Sequence, residues 1–374
     1  MTFTTALGIP FSFQKYTTIP NYSEKSHLKS YNIFLRMLPF TFCIALLIFE
    51  FVDTKFFFYA QPFHLSRDIS GVVDFGMKLF YFVNRLGLAC MIVAGLKNNS
   101  YHLRLIKRIR AFEKKIGSSP LKKDLNHLNR ANIESFANIF INITMVMTNY
   151  IFKAIYIEFS AVLLHLIFLV LAIASNTMIL YFINFFRELV KMIAEILTKY
   201  KTSNHFEFSS LTKEFFNIIP LVNSALGDII FINIIQHVIM SALTLYCLIW
   251  LLLEGSYLEA HKVLIFTCIL WLVQVFGVII LLCRVGNKLT KKIQELWEFQ
   301  NIFCFSENEH QEKFLLFLKE QLLLWKFHTE TRIIAAGSIE INNSGYFSVL
   351  SVITTYLIII VQFKQMEDDL IGSH

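Results

Sequence analysis

The residues of this sequence best placed to do chemistry form a weakly polar stripe near the C-terminus. Ser348, Val352, Thr355, Ile359 and Gln362 are spaced alternately by four and three residues, so they share one face of a helix. The rest of that segment is apolar and long enough to cross a membrane. A semi-polar face inside a bilayer must meet protein or water. The stripe therefore predicts either packing against sibling helices or the lining of a narrow pore.

A second group of side chains suits the binding of a small organic molecule. These residues combine aromatic rings with a few hydrogen-bonding groups in the outer halves of apolar segments, as ligand pockets often do. The candidates are Tyr81, Arg85, Asn149, His165, Tyr246, Trp250, Trp271 and Gln274. The alternative is that the aromatic residues anchor helices at the membrane interface. The charges Asp74, Lys78 and Arg85 likewise predict either intrahelical pairing or the wall of a water-filled pocket.

The sequence shows no pattern typical of an enzyme or a metalloprotein. The 11 histidines do not combine with nucleophiles, carboxylates or cysteines at a catalytic or metal-ligating spacing. His165 stands alone in an apolar segment, where a hydrogen-bonded packing role is the usual one. Five of the six cysteines lie in apolar segments, so we expect reduced, buried thiols. We predict no catalytic residues, no cofactor and no metal.

Composition identifies the class of protein that must position these side chains. Of 374 residues, 55% are hydrophobic and 16% are charged, against about 25% charged in soluble domains. Apolar windows predict an all-α polytopic membrane protein with seven transmembrane helices. The predicted spans are residues 34–53, 71–95, 134–153, 157–184, 225–253, 260–283 and 333–363.

The basic residues predict the orientation of these spans. With a cytosolic N-terminus, 27 of the 34 lysine and arginine residues lie on the inner side, five lie outside and two lie within the second span. This asymmetry predicts a cytosolic N-terminus and an extracellular C-terminus. The net charge of +7 is then a topology signal rather than a nucleic-acid surface.

Two stretches extend beyond the predicted membrane. A helical pattern without proline or glycine runs from residue 157 to 200, about 60 Å or twice the hydrocarbon thickness. Residues 286–331 predict two amphipathic helices that cover its cytosolic face. Together these features predict a cytosolic helical anchor.

The C-terminal motif carries a family resemblance. Thr355-Tyr356, five apolar residues and Gln362-Phe363 match the C-terminal signature of insect gustatory receptors. The upstream segment 336–341, centred on Gly337, resembles the turn that precedes that signature. The seven spans and the cytosolic N-terminus extend the resemblance over nearly the whole chain.

The resemblance implies a plasma-membrane taste receptor that acts as a ligand-gated, non-selective cation channel opened by a small-molecule tastant. It implies four subunits, identical or mixed with other gustatory receptors, around a pore lined by the seventh helix. It would place Thr355, Ile359, Gln362 and Phe363 at the pore or gate. Gly337 would form the turn before the pore helix, and Tyr356 would hold that helix against its neighbours.

These expectations divide the chain into five parts. Residues 1–33 would be a cytosolic tail, 34–283 a ligand-sensing bundle, 284–331 the cytosolic anchor, 332–363 the pore helix and 364–374 an extracellular tail.

Two other classes of membrane protein are open to test. A seven-helix G-protein-coupled receptor would have an extracellular N-terminus, an acidic-Arg-Tyr triplet after the third span and Asn-Pro-x-x-Tyr in the seventh, none of which fits this sequence. A transporter would usually show repeated halves and broken helices.

The sparse polar lining of the predicted ligand pocket favours a bitter or amphipathic organic ligand over a sugar.

Overall fold

The described part of the chain is a bundle of long helices with one small hairpin of strands. The computed structural model describes residues 71–116, 159–200, 205–253, 258–306 and 332–372, and isolated positions at 41, 133, 137, 140–141 and 143–144. The helices are α1 (Gly71–Lys97), α2 (Asn99–Ile116), α3 (Phe159–Tyr200), α4 (His205–Phe216), α5 (Ile219–Leu253), α6 (Leu258–Ser306) and α7 (Asn343–Gly372). Two antiparallel strands, β1 (Ile334–Ala335) and β2 (Ile339–Glu340), precede α7.

The described helices fit a membrane protein. Three stretches are long and apolar enough to cross a bilayer, namely Ser210–Leu252, Cys268–Phe299 and Asn343–Phe363. The prediction of an all-α polytopic membrane fold is thereby supported, while the count of seven spans stays a prediction. Apart from the isolated positions given above, the first and third predicted spans lie outside the described residues, as do the N-terminal tail, Asn149 and residues 307–331.

Two helices are much longer than a bilayer is thick. Helix α3 has 42 residues and α6 has 49, which correspond to about 63 Å and about 74 Å. Helix α6 runs without interruption past residue 284, where we placed a boundary between the sensing bundle and separate anchor helices. Its sequence has no proline, and Ile293 and Leu296 continue the buried face beyond the apolar part. The fall in hydropathy at residue 284 therefore does not mark the end of this helix.

Helix α2 extends α1 away from the predicted membrane. Helical hydrogen bonds cross the break between them, from Asn98 N to Ala94 O (2.9 Å) and from His102 N to Asn98 O (3.1 Å). The Phe112 ring lies 5.9 Å from that of Phe215 on α4. This basic segment is therefore a helical continuation of the second predicted span.

The boundaries of the seventh span differ from the prediction. Residues 332–342 form the hairpin, so α7 begins at Asn343 rather than near residue 333. Its polar end continues as helix to Gly372, beyond the predicted end at residue 363. Hydropathy detects the apolar part of a helix, whereas backbone hydrogen bonding sets its ends.

Candidate functional site

The hairpin before α7 turns through two residues in the left-handed region. Ile334 pairs with Glu340 and Ala335 with Ile339, which leaves residues 336–338 in the turn. Ala336 has φ 46° and Gly337 has φ +70°. Glycine adopts this conformation without a Cβ penalty, whereas alanine does so at a cost. The structure thus gives Gly337 the turn geometry that its proposed supporting role requires.

Side chains join the hairpin to the start of α7. The Asn342 Oδ1 accepts a hydrogen bond from Gly345 N (2.9 Å), which is the N-terminal cap of the helix. The Asn342 Nδ2 donates to Glu340 Oε2 (2.8 Å), and the other carboxylate oxygen of Glu340 accepts from Arg332. We call residues 332–345 the hairpin junction, because these contacts make the hairpin and the first turn of α7 one hydrogen-bonded unit.

One face of α7 packs in the protomer and the other does not. Val349 and Ile353 are 4% and 2% exposed, on the side that contacts α5 and α6. The stripe residues lie on the opposite side of the helix, and all five are exposed, including Val352 at 43% and Ile359 at 40%. The polar stripe therefore faces away from the core of its own subunit.

The other residues of the C-terminal motif are also exposed. Phe363 is 59% exposed and Tyr356 is 49% exposed. Tyr356 does not join the buried core of the protomer in the described part of the chain. The neighbour that it is proposed to hold would thus have to come from another subunit.

The hydroxyl groups of α7 are oriented by their own helix. Ser348 Oγ donates to Ser344 O (3.1 Å), and Thr355 Oγ1 donates to Ser351 O (2.9 Å). Each hydroxyl proton is thereby used, and the oxygen lone pairs remain available on the exposed stripe. Such a surface offers acceptors, which suit cations.

The predicted ligand residues lie at two depths. Tyr246 and Trp250 lie near the end of α5, which packs against α6. Arg85 is buried on α1, where the adjacent Asn84 contacts Gln236. Along α5, Gln236 and Tyr246 are ten positions apart, or about 15 Å. Arg85 and the outer aromatic residues therefore do not lie at one level.

The remaining candidates are less fully placed. Gln274 is buried and Trp271 is half-buried, both on α6. Tyr81 lies on α1 and His165 on α3, but their side chains are outside the described residues, as is Asn149 altogether. No cluster of three or more metal-ligating side chains occurs in the described part of the chain.

Sequence reasoning missed a buried polar contact between α1 and α5. Gln236 Nε2 donates to Asn84 Oδ1 over 2.7 Å, and Asn233 Nδ2 lies 3.3 Å from Met91 Sδ. These α5 residues are buried in a segment that hydropathy marks as a span. Polar residues at positions 233, 236, 237, 241 and 244 recur at near-helical spacing, and that signal was available in the sequence.

Comparison with known proteins defines the class. The 7tm Chemosensory receptor family profile matches residues 6–367. The insect olfactory receptor OR5 from Machilis hrabei, solved in complex with eugenol, has a similar fold, with a TM-score of 0.61 at 14% identity over 96% of this chain and 97% of that one. A second structure of OR5 gives a TM-score of 0.57 at the same identity and coverage. No curated protein matches the sequence.

These findings make the protein a membrane-embedded chemosensory receptor rather than an enzyme. The chain belongs to the 7tm Chemosensory receptor family.

Proposed function

We propose that the chain is a gustatory receptor subunit, and that four subunits form a cation channel opened by a small-molecule tastant. The observation that carries this proposal is the exposure of the α7 stripe on the side opposite the protomer core. Gln362 at the end of that stripe would be costly against acyl chains. If four α7 helices surround one axis with their stripes facing it, all four stripes are removed from lipid and line a narrow pore.

The chemistry of the stripe supports the passage of cations. The hydroxyl oxygens of Ser348 and Thr355 offer lone pairs, because their protons are bound by the helix backbone. Ile359 supplies a hydrophobic ring that closes by dewetting, and Gln362 and Phe363 form the outer constriction. The permeating species would thus meet weak oxygen ligands and an apolar gate, which suits low selectivity among cations.

The ligand of this proposal is a small amphipathic organic molecule. Its pocket includes the outer group Tyr246, Trp250 and Trp271, with Gln274 as a polar contact. Eugenol bound to OR5 gives a precedent for such a ligand in this fold. The tastant opens the channel by binding the open state better than the closed one.

The proposed topology completes the functional arrangement. The N-terminus is cytosolic, the C-terminus is extracellular, and the protein resides in the plasma membrane. The extended parts of α3 and α6 belong to the cytosolic anchor that holds subunits together. The Thr355-Tyr356 to Gln362-Phe363 motif favours the gustatory over the olfactory branch, and the subunits are identical or mixed with other gustatory receptors.

A matched pair of threonines tests the pore. Thr354 and Thr355 are both exposed, and each donates to the carbonyl four residues before it, but only Thr355 lies on the stripe. In cells that express only this chain and are screened with a tastant panel that includes eugenol, we expect Thr355→Val and Gln362→Ala to change ion permeation. Thr354→Val should leave permeation unchanged.

Three results would refute the proposal. Unchanged permeation in both stripe variants would show that α7 does not line the pore. Ligand responses that require a G protein, with an extracellular tag at Met1, would favour the G-protein-coupled class. Saturable uptake without channel currents would favour a transporter.

A further inference from the structure

One amide side chain on α5 holds the backbone of the hairpin junction. Asn223 Nδ2 donates to the Arg332 carbonyl oxygen over 2.7 Å. The Ile334 amide in turn donates to Asn223 Oδ1 over 3.2 Å. The amide of Asn223 thus bonds the backbone on either side of Ile333, at the start of β1, as a neighbouring strand would.

Glycines bring α5 and α6 against the same hairpin. A Cβ on Gly227 would lie 3.1 Å from Ala336 N and 3.1 Å from Ile334 O. On α6, a Cβ on Gly286 would lie 2.1 Å from Ile341 O. The backbone of the junction therefore touches both helices directly, without intervening side chains.

The hairpin needs these contacts to hold its shape. Its strands have two residues each, and an isolated two-stranded hairpin is marginal in water. Ile333, Ala335 and Ile341 are buried beneath it. Apolar burial alone does not fix the register of the hairpin against α5. The paired hydrogen bonds of Asn223 do fix it, because hydrogen bonds are directional.

From this geometry we propose that Asn223 is a positioning residue for the gate. The inference rests on the proposed channel function and names the path by which α5 acts on the pore. Asn223 ties α5 to the hairpin, and the Asn342 cap ties the hairpin to α7. A shift of α5 along or about its axis moves Arg332 and Ile334 with it, and so moves the inner end of α7.

The test compares Asn223→Ala with Ser224→Ala, the exposed neighbour on the same helix turn. Currents are recorded from the full-length chain without added ligand and normalised to surface biotinylation. Losing the paired hydrogen bonds should change basal open probability by about fivefold or more, with single-channel conductance unchanged. Ser224→Ala should match the wild type.

Hydrogen exchange of the purified protein separates positioning from simple support. The Ile334 amide should exchange faster in Asn223→Ala. Faster exchange with unchanged open probability would reduce Asn223 to a structural contact and overturn the inference. If Asn223→Ala does not reach the cell surface, Asn223→Asp is compared with Ser224→Ala instead. This variant keeps the hydrogen-bond acceptor but loses the donor.

Different results would overturn the role of Asn223 and the proposed channel function. A wild-type chain that conducts while Asn223→Ala and Asn223→Asp gate normally would overturn only the role of Asn223. A wild-type chain that conducts no ions under any condition would overturn the proposed function, and the gating role with it.

Discussion

Replacing Gly286 with alanine should displace the hairpin junction from α6. The added Cβ would lie 2.1 Å from the Ile341 carbonyl oxygen, about 1.3 Å closer than the 3.4 Å at which ordinary contact begins. That oxygen belongs to backbone between the hairpin and α7, so it cannot move by a change of rotamer. Overpacking of this kind typically costs roughly 1–3 kcal/mol. Alanine gains about 1 kcal/mol in helix propensity over glycine, which offsets only part of that cost.

Gly277 on the same helix provides the control. A Cβ there would meet nothing within 4 Å, so Gly277→Ala carries the propensity gain without the clash. The difference between the two variants thus isolates the overpacking cost, roughly 1–3 kcal/mol. Thermal unfolding of the purified full-length protein in detergent, followed by tryptophan fluorescence, should show Gly286→Ala below the wild type and Gly277→Ala at or above it. Equal midpoints for the two variants would refute the close approach of the junction to α6.

Two further variants test contacts elsewhere in the bundle. Gln236→Ala removes the donor that lies 2.7 Å from the buried carboxamide oxygen of Asn84. The free energy of unfolding should therefore fall by about 0.6 kcal/mol, and at most by about 1.7 kcal/mol, as for other hydrogen bonds between membrane helices. No change would mean that water replaces Gln236. Glu113 lies on α2, which is predicted to be cytosolic. Its pKa is raised above the usual 4.5, chiefly by burial and then by the charges of Glu188 and Glu195, while Arg110 lowers it. The folded state therefore holds the Glu113 proton more tightly than the unfolded state, and stability should fall as pH rises from 4.5 through the raised pKa. Glu113→Gln should be more stable than the wild type at neutral pH and lose that part of the pH dependence; parallel stability curves for the two proteins would contradict this.

Local pattern predicted those parts of the fold that depend on local physics. The unbroken run from residue 157 to 200 predicted α3, which begins two residues later and ends at the same place. The spacing of Ser348, Val352 and Thr355 predicted a common face, and the structure places that face away from the protomer core. Both features follow from helical periodicity and from the absence of helix-breaking residues.

Contacts between distant segments were beyond that reasoning. Gln236 and Asn84 are 152 residues apart, and Asn223 and Arg332 are 109 apart. Periodicity shows that a polar residue interrupts an apolar helix, but it does not show which partner meets it. The same limit applies to Gly286. Glycine is needed there because the hairpin backbone approaches it closely, and nothing in the sequence of its own helix shows this.

The proposed assembly shows why a contact as small as that of Asn223 matters for gating. Moving a channel from about 1% to about 99% open requires about 5.5 kcal/mol of differential ligand binding. Shared among four subunits, this is about 1.4 kcal/mol each, or roughly a tenfold preference of each site for the open state. The two hydrogen bonds of Asn223, at a net 0.5–1.5 kcal/mol each, contribute about 1–3 kcal/mol per subunit, which is at least a similar amount. If α5 reaches α7 mainly through the paired bonds of Asn223, losing them removes as much free energy per subunit as the ligand supplies, so this side chain is sufficient to decide whether binding is transmitted to the pore.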